Sequence, residues 1–97
     1  MDTERKALIE IDVSGVTDHR GLQLLLMNSL DFPGWYGCNW NAFWDAITGL
    51  VEMPKMLRIL GWQLLVERLP EDARIMRECL EEMTAMYPSF APEVEYV

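Results

Sequence analysis

Histidine occurs once in the 97 residues, at His19, and cysteine twice, at Cys38 and Cys79, with no CxxC spacing. A zinc site needs clustered Cys and His ligands and a disulfide framework needs several half-cystines, so neither is indicated and no cofactor is expected; a reducing cytoplasm suits both thiols. Basic residues are scarce, with eight Lys and Arg against sixteen Asp and Glu and a net charge of −8. Binding to a phosphate backbone draws its free energy from cations that displace counterions, so this balance argues against nucleic acid and for a cationic protein partner. Long apolar runs are missing as well. The greasiest stretch, Leu22 to Leu30, is broken by Gln23, Asn28 and Ser29, and Met1 to Lys6 leads into no apolar segment. Neither a membrane span nor secretion is therefore expected, and the expected location is cytoplasmic.

What is present is uneven in its placement. Between Arg20 and Lys55 there is no basic residue, and residues 31–52 carry three acids, Asp31, Asp45 and Glu52. The same stretch holds six of the ten aromatic residues: Phe32, Trp35, Tyr36, Trp40, Phe43 and Trp44. A small core can absorb some of these rings, but six within thirteen residues are hard to bury together. Aromatic side chains beside unbalanced carboxylates read as a protein-binding surface, because Trp and Tyr carry much of the binding energy at interfaces.

Length and a hydrophobic content of 51% support one domain over residues 1–97 with its own core. Ala7, Ile9, Ile11 and Val13 alternate with other residues at a period of two and predict a first strand. Thr17 or Asp18 then caps a helix with Leu22, Leu25, Leu26 and Leu30 on one face, ended by Asp31-Phe32-Pro33-Gly34. Cys38 or Asn39 opens a second helix running to Gly49. At 100° per residue, Trp40, Phe43 and Ile47 fall within about 60° of one another, Trp44 about 40° further round, and Asn41, Asp45 and Thr48 beyond it. The core-facing side thus grades into an exposed one, with Trp35 and Trp44 only partly in the core. Met56 to Leu60 predicts a second strand, Trp62 to Leu69 a short helix, Pro70 to about Tyr87 a longer one, and Val94 to Val97 a last strand with Glu93 and Glu95 on a wet side. Strands separated by helical crossovers cannot form hairpins, so the expected fold is α/β: a small three-stranded parallel sheet packed with about four helices.

Enzyme chemistry finds little support. His19 reads as a solvated capping residue without a base partner, Cys38 has no neighbouring cation in sequence to activate it, and Cys79 reads as core. Gly34, Gly37 and Gly49 do not form a phosphate loop, and Asp45 alone is not a catalytic dyad.

The run Trp35-Tyr36-Gly37-Cys38-Asn39-Trp40-Asn41-Ala42-Phe43-Trp44-Asp45-Ala46-Ile47-Thr48-Gly49-Leu50-Val51-Glu52, followed by Pro54, resembles the barstar family of ribonuclease inhibitors. A weaker match, Arg77-Glu78, lies in the last helix. The resemblance implies the same fold and a function without catalysis: the second helix and the loop before it plug a ribonuclease active site, with the Asp45 carboxylate standing where the substrate phosphate would lie. It implies partner contacts at Trp35, Gly37, Asn39, Trp44, Asp45, Thr48, Gly49, Glu52 and Glu78. Asn41 joins them at the position where the family usually has a second acid. Cys38 likewise replaces an acid and Leu50 an aromatic. The implied partner is a basic ribonuclease or nuclease toxin, met by a chain that is monomeric when free and that serves as its inhibitor or immunity protein. A binding or adaptor module for a basic protein other than a nuclease is the alternative.

Overall fold

The structure, a computed structural model, describes residues 5–97. Its elements run β1 (Leu8–Asp12), α1 (His19–Leu30), α2 (Trp40–Asp45) with a π-helical turn (Ala46–Leu50), β2 (Met56–Leu60), α3 (Trp62–Arg68), α4 (Pro70–Met86) and β3 (Glu93–Tyr96). The three strands form one sheet in the order β1-β2-β3, both pairs parallel, with Ile11 opposite Ile59 and Ile59 opposite Tyr96. This is the α/β fold expected from the spacing of the strands.

Alternation along the strands sends Ile11, Leu57 and Ile59 into the core with Val94 and Tyr96 packed against it, while Leu8, Glu10, Asp12, Glu93 and Glu95 stay exposed. The helices therefore cover one face, whereas most parallel sheets are covered on both. A row of charge runs across the wet face. Arg58, the residue that interrupts the apolar run of β2, bonds Glu10 on β1 at 2.7 Å and Glu95 on β3 at 2.8 Å. Each exposed pair is worth about 0–1 kcal/mol, so the row keeps a parallel sheet compatible with water more than it stabilises it. Gly61, between β2 and α3, has φ +75°, and a Cβ there would lie 2.6 Å from Ser14 Cβ, so both backbone conformation and space call for glycine.

Side chains decide the helix starts that the sequence leaves open. Asp18, not Thr17, caps α1 by accepting from Gly21 N, and Asn39, not Cys38, caps α2 by accepting from Ala42 N at 2.7 Å. The expected uninterrupted second helix is corrected: α-helical bonding stops at Asp45, and the chain widens into a π-helical turn closed by Val51 N donating to Ala46 O. Thr48 sits in that turn and donates its hydroxyl to Trp44 O at 2.6 Å, a back-bond that bends helices, and Gly49 beside it favours no helical state.

Candidate protein-binding face

The loop between α1 and α2 is held from beneath. Phe32 and Tyr36 are buried, their ring centroids 4.8 Å apart, and Tyr36 donates its hydroxyl to the fully buried Gln23 of α1. Burial holds the Tyr36 phenol well above the usual tyrosine range, so it stays a donor. With its neighbour pulled inward, Trp35 projects outward and is 73% exposed. It had been expected partly in the core; the side chain is instead almost wholly presented to solvent on an anchored loop.

On α2, Phe43 is fully buried, with Phe32 and Trp40 edge-on to it. Trp40, expected with Phe43 on the core side, is only half-buried, and its indole Nε1 donates to Asp72 of α4 at 2.9 Å. Asp72 also lies 2.9 Å from His19 Nδ1, and His19 Nε2 is 3.3 Å from Cys38 O. His19 is thus corrected from a solvated cap to a half-buried link between the starts of α1 and α4 and the loop before α2. The partner residue is 53 positions away, beyond any local pattern.

The opposite side of α2 is open. Asn41 and Asp45 are exposed and Trp44 is half-buried, its ring 6.5 Å from that of Tyr87. Among the described residues, Asp45 has no ion-pair partner. Five arginines are engaged elsewhere: Arg58 with the sheet acids, Arg74 with Glu71 and Glu78, Arg77 with Glu81, Arg5 and Arg68 with backbone carbonyls; Arg20, exposed on α1, makes no ion pair with Asp45. A carboxylate on a short, anchored helix and without an internal cation is offered outward. Thr48 is half-buried through its back-bond, and Gly49 and Glu52 are exposed at the end of the π-helical turn.

Two implied contact residues have internal duties. Asn39 spends its side-chain oxygen on the α2 cap and its Nδ2 on Gly37 O at 3.3 Å, which leaves the exposed Gly37 backbone fixed beside Trp35. Glu78 bonds Arg74 one turn away at 2.8 Å. Besides Asp72, which bonds Trp40, α4 brings a second acid to α2: Glu82, which with Ile75, Cys79 and Met86 lines a groove against Asn41 and Trp44. Its spacing, four after Glu78 and three after Cys79, was the available signal. Cys79, expected in the core, is half-buried at this groove, where burial and then the Glu82 and Glu78 carboxylates push its thiol up and away from reactivity. Cys38 is also a half-buried free thiol, in a left-handed conformation at φ 56°. No three His, Cys, Asp or Glu side chains converge as metal ligands among the described residues, and no described helix is long and apolar enough to cross a membrane.

Trp35 on the loop and Trp44 on α2 differ in burial, and their contributions are separable by mutation. Trp35→Ala should leave the unfolding midpoint unchanged while weakening partner binding by about 1–3 kcal/mol. Trp44→Ala should weaken binding to a similar extent and also lower the midpoint, since its ring packs on the core and on Tyr87. Urea unfolding and calorimetric titration of both variants check this; a midpoint loss for Trp35→Ala would mean that the loop, not only its surface, depends on that ring.

Residues 6–94 match the family described as Barstar (barnase inhibitor). A protein of Bacillus subtilis (strain 168) named "Putative ribonuclease inhibitor YrdF" is 35% identical over 57 residues, 59% of this chain. The matched stretch spans 63% of that relative's own length.

Proposed function

The chain belongs to the barstar family, and we propose from that membership that it inhibits a basic ribonuclease, or nuclease toxin, by blocking the active site with α2 and the loop before it. The observation that carries the reading is Asp45: an exposed carboxylate with no ion-pair partner among the described residues, set on an anchored helix between Asn41 and Thr48 and bordered by Trp44. In a nuclease site, cationic groups converge on the scissile phosphate, and a carboxylate delivered there forms charge-assisted hydrogen bonds out of water. The chain itself supplies no catalytic step. It occupies the site, excludes RNA, and is monomeric and cytoplasmic when free.

Opposite charge sets the kinetics. A net charge of −8 against a basic enzyme accelerates encounter at low salt, so association slows as salt rises while dissociation changes less. The test is a titration of small basic ribonucleases, barnase among them, with the chain. Activity should fall linearly to zero at one inhibitor per enzyme for the target; full activity of every such enzyme at excess chain would transfer the face to a basic partner that is not a nuclease.

A further inference from the structure

Beyond the α2 face, the far end of α4 carries a second feature. Phe90, in the loop between α4 and β3, is 67% exposed, yet the loop beneath it is tied down. Phe90 N and Ala91 N both donate to Tyr87 O at 3.0 Å. The Arg5 guanidinium reaches Ser89 O and Ala91 O at 3.3 Å from one side and Met53 O and Pro54 O at 2.8 Å from the other, clamping the loop to the segment that enters β2. An exposed aromatic ring on a rigid loop loses little conformational entropy on contact, which is the property of an interface anchor.

Phe90 also closes a cleft of about 200 Å³ whose other wall is the π-helical turn, through Thr48 and Gly49, and Glu52 just beyond it, and whose floor includes the buried Ile47 and Met83. The residues that end the α2 face are thus the residues that begin this cleft. Arg5 lines it too, but its donors are engaged by the four carbonyls, so the interior offered to a ligand is chiefly apolar. The widening of the helix at Ala46–Leu50 sets the rim where it stands. Resting on the reading of α2 as the ribonuclease-binding face, we infer that this cleft is a specificity pocket of the same interface and takes one apolar side chain, aliphatic or aromatic, from the ribonuclease beside its active site. Phe90 packs on that side chain, and Glu52 stands at the solvent edge.

The test uses the ribonuclease that the parent chain inhibits, with inhibition constants for Phe90→Ala, Phe90→Leu and Asp45→Ala at low and high salt, and urea midpoints for each. Phe90→Ala should inhibit about tenfold more weakly at both salt concentrations, with the midpoint unchanged and Phe90→Leu restoring most of the loss. Asp45→Ala should weaken inhibition most at low salt. If Asp45→Ala is weakened and Phe90→Ala is not, the specificity pocket is wrong and the α2 reading stands. A Phe90→Ala deficit that disappears at high salt would identify a cation over the ring and overturn the apolar occupant. If neither variant differs from the parent, the α2 reading fails and takes the pocket with it.

Discussion

Asp45→Ala should inhibit its ribonuclease at least about thirtyfold more weakly than the parent chain, a loss of more than about 2 kcal/mol and larger than that of any other single acidic truncation. The scale is that of charge pairs at the interface of barstar with barnase, and the reason for expecting it here lies in what surrounds the residue. Asn41 and Thr48 share its side of the helix and neither is charged, and among the described residues no arginine or lysine pairs with Asp45. The enzyme's cations would therefore have this carboxylate as their counter-charge, and truncation leaves them desolvated and unpaired, which costs more than the attraction itself. Asn41→Ala should matter less because an amide leaves no charge behind. Asn41→Asp, which restores an acid one turn before Asp45, should tighten inhibition of a barnase-like enzyme. Inhibition constants for the three variants at one salt concentration check the order; parent-like inhibition by Asp45→Ala would remove phosphate mimicry by this residue.

Phe43→Ala should destabilise the domain by about 3–5 kcal/mol, a large part of the ~5–15 kcal/mol that holds a domain of this kind together. Phe43 is fully buried, with Phe32 from the α1–α2 loop and Trp40 from its own helix set edge-on to its ring. Removing it opens a cavity at the point where loop and helix meet, so the binding face loosens together with the core. The urea midpoint reads the effect directly, and a midpoint equal to the parent's would mean that α2 is oriented differently. Phe43 and Trp35 thus mark two limits within one run of aromatics: the first is fully buried, the second is presented to solvent on the proposed binding face.

How far these roles can be read without coordinates depends on the range of the interaction. Phe43 and the three strands follow from periodicity over a few residues, as does the exposed side of Asn41 and Asp45, which agrees with the burial of Phe43 and Ile47; the part given to Asp45 in binding comes from the resemblance to the family. The cap of α2 needed only the choice between Cys38 and Asn39, which the amide oxygen of Asn39 decides. The π-helical turn was hidden because it depends on a hydroxyl back-bond and a glycine whose separate effects are small. Local neighbours alone make His19 a solvated cap, whereas Asp72 reaches it across the fold, as Glu10 and Glu95 reach Arg58. Glu82 and Phe90 were missed for the same reason: only packing of α4 and its following loop brings them beside the residues of α2 and the π-helical turn.

If Asp45 takes the place of an RNA phosphate, the chain and a nucleotide must compete for the enzyme. The apparent inhibition constant of the chain is determined against its ribonuclease at rising concentrations of a nucleotide monophosphate that fills the enzyme's phosphate site. Mutual exclusion is predicted, with the apparent constant rising in proportion to the nucleotide once that site is saturated, and with the rise much reduced for Asp45→Ala. An apparent constant independent of nucleotide concentration, with inhibition intact, would place the chain away from the active site and rule out phosphate mimicry by Asp45.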